Sequence, residues 1–215
     1  MTSQIRMGAI FWLLTVEFFI AQFVAQAAFA GFSLTEMDIS VLGVSGCAGE
    51  NPNALAPYCS PLHLVFNGGI ILNGVLILLG IWFTRRLWPR GGLTAAGLWL
   101  LAIGGGVGSI MVGFFPYDIN RPLHTVGAIL ALCVAGFGML ALAGAFWRPF
   151  RKFAIYTLAT GVVTLVGFVL YGLNIHLGIG GGTMERIAAW PHTIWYVVAG
   201  ALILRGHFKD RAAQA

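Results

Sequence analysis

The sequence predicts an all-α polytopic membrane protein, a bundle of six transmembrane helices with both termini cytoplasmic. Three observations predict it. The 215 residues are 59% hydrophobic and only 9% charged, with a mean hydropathy of +0.88, which excludes an ordinary soluble domain. Apolar runs long enough to cross a hydrocarbon core of about 30 Å fall at residues 8–30, 63–84, 93–115, 122–147, 153–177 and 188–204. Arg6, Arg85, Arg86, Arg90, Arg148, Arg151, Lys152, Arg205, Lys209 and Arg211 all fall on one side of that six-span chain, with only Arg121 and Arg186 on the other. Short cytoplasmic loops are enriched in Lys and Arg. The net charge of +5 is thereby explained by topology, and no nucleic-acid partner is needed. A chain of this length is expected to form one domain, residues 1–215, in the cell membrane among its lipids.

Helix one imitates a signal peptide, with Arg6, an apolar run and Ala28-Phe29-Ala30. Glu17 interrupts the run, so the helix is expected to be retained. A carboxyl at that depth must be protonated, paired or facing a wet cavity. Asn73 of helix two, at comparable depth, is its expected partner, and the pair reads equally as a buried acid in a proton relay or as glue between helices. Cys47 and Cys59 follow in the outer loop, where a disulfide persists if formed, although two cysteines alone set no geometry. Cys133, inside helix four, reads as a small apolar residue.

Three membrane segments are announced by proline and histidine: Ser60-Pro61-Leu62-His63, Arg121-Pro122-Leu123-His124 and Trp190-Pro191-His192. Proline is favoured at the first helical position, where its missing N–H is no loss. His63, His124 and His192 are therefore expected in the first turns of helices two, four and six, at one depth near the outer surface. Asn67, at i+4 from His63, projects from the same side of helix two. Asn174 and His176 close helix five. The glycine run at Gly104-Gly105-Gly106 and Gly108 suits close helix packing in helix three. Gly178 to Gly182 forms an outer loop before Glu185 and Arg186.

These residues predict a polar pocket open to the outer leaflet. In its sharpest form His63, His124, His176 and His192, with Asp118, hold zinc or another divalent metal that activates a water. Asp118, Glu185 and His124 are the candidate catalytic groups. Arg121 and Arg186 suit bidentate capture of a phosphate or carboxylate, and Asn67, Asn174 and Trp190 complete the substrate-binding set. Asp118 and Arg121, three residues apart, also read more simply as an ordinary surface pair that orders a loop.

The stretches Cys59-Ser60-Pro61-Leu62-His63 with Asn67, Val112-Gly113-Phe114-Phe115-Pro116-Tyr117-Asp118 with His124, and Glu185-Arg186-Ile187-Ala188-Ala189-Trp190-Pro191 with Trp195 resemble the bacterial and archaeal DUF998 membrane proteins. The Val41-Leu42-Gly43 to Cys47 stretch is similar to that family's first outer loop. Val41 stands where the resemblance leads one to expect an acid, and the family need not have a histidine at His192. The resemblance implies a six-helix bundle and little chemistry, with a more distant likeness to Frag1/DRAM/Sfk1-type proteins, some of them linked to lipid remodelling. The functional expectation is a pocket for a lipid-like or isoprenoid amphipathic molecule, in a membrane-embedded hydrolase or transferase. Alternatives are a non-enzymatic lipid-binding, transport or accessory protein, an acid-initiated terpene cyclase using the many aromatic faces, and a haem protein with two axial histidines.

Overall fold

The computed structural model describes residues 1–46 and 60–208, and among them every regular element is helical. Six helices are long and apolar enough to cross a membrane: α1 Ser3–Ala27, α2 His63–Thr84, α3 Gly92–Phe114, α4 Arg121–Phe146, α5 Arg151–Gly172 and α6 Gly181–Leu204. The chain is thus a multi-pass integral membrane protein. Each helix packs against the next in sequence, and α6 closes the ring against α1. An even number of spans brings Leu204 back to the end where Ser3 begins. Arg6, Arg85, Arg86, Arg90, Arg148, Arg151, Lys152 and Arg205 lie at that basic end, and the Ser33–Gly46 loop lies at the opposite one.

Helix α1 is interrupted at Thr15 and Val16, between Ser3–Leu14 and Glu17–Ala27. The Thr15 hydroxyl donates to the Trp12 carbonyl at 2.6 Å, a back-bond that bends helices. Helices α3 and α4 each widen into a π-helical stretch, Ala102–Gly108 and Leu130–Val134, where they face one another. A Cβ on Gly104 would stand 2.5 Å from the Ala135 nitrogen, and one on Gly108 would stand 2.6 Å from the Ala131 nitrogen. Only glycine allows that approach. In lipid, where apolar burial drives no association, such backbone contact is what holds helices together.

Helix α6 departs from expectation. It begins at Gly181, and Pro191 lies inside it. The third Pro-His segment is therefore not a helix start: His192 stands eleven residues beyond Gly181, about 16 Å along the axis at about 1.5 Å per residue. Pro191 has no N–H for the Ile187 carbonyl, and a transmembrane helix tolerates this because its neighbours re-satisfy the backbone. Helix α5 ends at Gly172. Beyond it Asn174 adopts φ 55°, its N–H donating to the Tyr171 carbonyl at 3.0 Å and that of Ile175 to Leu170 at 2.9 Å. This is a Schellman cap, in which asparagine takes the left-handed position more often filled by glycine.

The half of the ring toward the basic end is filled by aromatic side chains. Trp12, Trp195, Tyr196 and Phe146 are fully buried, with Trp88, Phe153 and Phe208 nearly so. Trp195 stacks on Phe153 at 5.5 Å and meets Trp12 edge-on at 5.6 Å, while Trp88 lies 4.9 Å from Phe146. Two indole N–H groups find partners inside this cluster: Trp195 Nε1 donates to Thr157 Oγ1 at 2.9 Å, and Trp12 Nε1 to the Ile77 carbonyl at 3.4 Å. At the other end the loop turns its 3₁₀ segment Ile39–Gly43 inward, burying Ile39, Leu42 and Val44.

Candidate functional site: a cavity beneath a pinned loop

Between the loop and the aromatic half lies a cavity of about 70 Å³ of water-accessible space, enough for several waters or the end of a longer molecule. Phe18 of α1, Phe66 and Ile70 of α2, Val112 of α3 and Leu132 of α4 give it a mostly apolar wall, and Ile39 and Ser40 of the loop close it. Into this wall six polar side chains are set: Asn73, Ser109, His124, Glu185, His192 and Thr193. The Asn73 Oδ1 oxygen is buried without a hydrogen-bond partner.

His124 is 7% exposed. Its Nδ1 donates to the Phe115 carbonyl at 2.9 Å, and its ring meets Tyr117 edge-on at 5.5 Å. A proton on Nδ1 leaves Nε2 as the acceptor nitrogen of a neutral imidazole, the form that can take a proton or ligate. His192 reaches the cavity from α6, with its ring edge-on to Tyr196 at 6.5 Å. Glu185 lies two turns above it on the same face of that helix, at i−7.

The loop is held by side chains from two helices, α2 and α6, and from the connection between α3 and α4. Glu185 Oε2 accepts from the Ile39 N–H. Arg186 NH1 donates to the carbonyls of Met37 at 2.9 Å and Gly182 at 2.7 Å. Asn67 Nδ2 donates to the Gly43 carbonyl at 2.9 Å. Asp118 Oδ2 accepts from Ser45 N at 3.1 Å, Ser45 Oγ at 2.9 Å and Gly46 N at 2.9 Å. Thr183 N donates to the Thr35 carbonyl at 3.0 Å, and a Cβ on Gly182 would overlap the Met37 carbonyl. Hydrogen bonds to charged groups contribute about 1.5 to 3 kcal/mol each, so this set outweighs the hydrophobic contact of any one loop residue.

The structure distributes the sequence-predicted residues accordingly. His124, Glu185 and His192 reach the cavity; Asp118, Asn67 and Arg186 pin its cover instead. The four expected imidazoles do not converge. His63 Nδ1 donates to the nearby Ser60 carbonyl at 3.0 Å, and His176 lies in the link after α5 against Gly181. Among the described residues no three His, Cys, Asp or Glu side chains are placed to share a metal ion. The cavity also has no room for a porphyrin.

Arg186 is 5% exposed, with its guanidinium 5.7 Å from the Phe32 ring centre and 6.0 Å from that of Trp190. Its Nε and NH2 are buried without a hydrogen-bond acceptor and closed off from solvent anions. Arg121 is exposed and lies over the Tyr117 ring at 5.0 Å rather than pairing with Asp118. Trp190 Nε1 donates to Gln22 Oε1 at 3.2 Å, outside the cavity. Asn174 is exposed and serves as the cap of α5. Glu17 does not bond to Asn73: one carboxyl oxygen has no partner and the other faces Gly69 of α2. Cys47 and Cys59 lie outside the described residues.

A family profile described as "Protein of unknown function (DUF998)" matches residues 13–202. The chain belongs to the DUF998 family. No curated protein and no solved structure matches it. In this DUF998 chain each of the three longer stretches that carried the likeness supplies at least one side chain that holds the loop. Asn67, Asp118, Glu185 and Arg186 all contact the 37–46 segment. Residues that sequence reasoning passed over are Ser109 and Thr193, both buried and both on the cavity wall. Thr193 was findable from the helical period, since it adjoins His192 on the α6 turn above Tyr196. Ser109 carries no comparable signal.

Proposed function

We propose that this protein sits in the cell membrane with both termini cytoplasmic, and that the cavity beneath its first outer loop receives the polar end of an amphipathic, lipid-like molecule of the membrane. The orientation rests on the basic end, since Lys and Arg concentrate in short cytoplasmic loops. The observation that carries the pocket reading is its lining: an apolar wall of Phe18, Phe66, Ile70, Val112 and Leu132 with six polar groups set into it, inside a bundle closed at its other end by packed aromatics. An apolar wall with a few convergent polar groups is the usual form of a small-molecule site. At about 70 Å³ the cavity takes only one end of such a molecule, so its chain must lie between helices or in the bilayer.

The test is photo-crosslinking in vesicles with a phospholipid that carries a diazirine beside its headgroup. Phe66 and Ser109 are 2% and 4% exposed and can be reached only from the cavity. Labelling there is expected, and Ala128→Leu, which fills the cavity from α4, should abolish it while the protein stays folded. Labelling confined to the outer surface would overturn the reading.

A hydrolase or transferase is favoured by one specific arrangement: the His124 imidazole, the Glu185 carboxyl and the Ser109 hydroxyl line one cavity, the groups that general acid–base chemistry needs. Turnover of a lipid ester or amide that disappears in Ser109→Ala and His124→Gln, with cavity labelling retained, would establish an enzyme. Labelling without turnover leaves a binding or accessory protein.

A further inference from the structure

A second concavity lies at the opposite end of the molecule. Between α5 and α6, at the basic end, runs an open groove of about 780 Å³. Its floor is apolar, with Ile155 of α5 and Val198 and Leu202 of α6, and Phe150 and Phe208 close its end. Arg151, Lys152 and His207 stand at its mouth, all exposed. Arg148 and Arg205, also exposed, flank it. No acidic residue among the described residues lies at this end of the bundle. The Arg151 guanidinium lies over the half-exposed Trp147 ring at 5.0 Å, an amphipathic pair of the kind that marks the headgroup level of a bilayer.

We propose that this groove binds one anionic phospholipid, its phosphate held by Arg151 and Lys152 and one acyl chain laid along Ile155, Val198 and Leu202. The site is independent of the cavity at the other end. Charge complementarity selects the occupant. A second copy of the chain would set Arg148, Arg151, Lys152 and Arg205 against their equals, and a zwitterionic lipid would leave the cluster uncompensated. Its floor, Ile155, Val198 and Leu202, belongs to the two spans α5 and α6, so an acyl chain laid along it comes from the leaflet. Basic pockets between helices at a membrane surface recognise anionic headgroups in this way.

The test uses the full chain, delipidated in detergent and titrated separately with dioleoylphosphatidylglycerol and dioleoylphosphatidylcholine, with adducts counted by native mass spectrometry. One phosphatidylglycerol per chain should bind with a preference of roughly fivefold per basic residue engaged. Arg151→Gln with Lys152→Gln should erase most of that preference. Leu202→Trp and, separately, Ile155→Trp fill the floor without touching charge and should remove the adduct, with thermal unfolding confirming that each variant is folded. Equal uptake of the two lipids would overturn the proposal. So would a preference that survives both floor variants, since surface charge alone would then account for it.

Discussion

The two halves of the bundle solve one problem in opposite ways. Toward the basic end the middle of the ring of helices is filled with aromatic side chains: Trp12, Trp88, Phe146, Phe153, Trp195, Tyr196 and Phe208 pack edge and face. Toward the other end the same helices carry Phe66, Ile70, Asn73, Ser109 and His124, leave a hollow, and close it with a loop. The first half is held by dispersion and a few indole hydrogen bonds; the second is held by charged and amide groups bonded to main chain. The packed interior of the first half leaves room for a ligand only on its outer face, whereas the second half keeps a hollow within the ring. The hollow therefore ends against packed aromatic side chains.

The difference is sharpest if the two halves fail differently. Trp195→Ala removes a fully buried indole, its bond to Thr157 and three aromatic contacts, and should cost about 3 to 5 kcal/mol. Thermal unfolding in detergent, followed by tryptophan fluorescence, would show a large fall in midpoint. Ala135→Leu, at the α3–α4 crossing where Ala135 is fully buried and its backbone meets Gly104, should cost about 1 to 3 kcal/mol by overpacking. Both losses are global.

Asp118→Ala removes the acceptor of three hydrogen bonds from Ser45 and Gly46 and should cost about 1 to 3 kcal/mol, but locally. Faster amide exchange and earlier proteolysis within residues 33–46 are expected, with the unfolding midpoint of the bundle little changed. A fall as large as that of Trp195→Ala would show that the two halves unfold as one. The smallest effect belongs to Ala128→Leu, the same chemical change as at Ala135 but directed into the cavity. Its stability should stay within about 1 kcal/mol of the parent, because the space is already there. A loss matching Ala135→Leu would mean that the cavity is already filled by protein.

Much of this fold was legible in the sequence because hydropathy and charge act over whole helices. The six apolar runs and the segregation of Arg and Lys need no knowledge of contacts. The start of α6 was not legible: Pro191 carries the same local signature as Pro122, yet only Pro122 opens a helix, because the helix that holds Pro191 extends back to Gly181 and is stabilised by its neighbours. The chemistry of the site was half legible. Asp118, Glu185, Arg186 and Asn67 were recognisable as unusual polar groups in an apolar chain. Their partners are amides and carbonyls of residues 37–46, and a main-chain group leaves no trace in residue identity. The four imidazoles do not gather among the described residues for a related reason, since the depth of His192 and the position of His176 are set by helix ends that the sequence did not mark.

The order of the ring carries a consequence for biogenesis. Every helix from α2 to α5 packs chiefly against its neighbours in the chain, so each can dock on the helix inserted just before it as the chain emerges. The exception is the seam between α1 and α6, where Gly200 meets the Ala9 carbonyl and Trp12 meets Trp195. Until the last helix enters the bilayer, Trp12 has no partner across that seam and the aromatic half stays open. Arrival of the final span is therefore the step that completes the molecule, and a chain cut short before residue 181 would leave one of its largest buried side chains facing lipid.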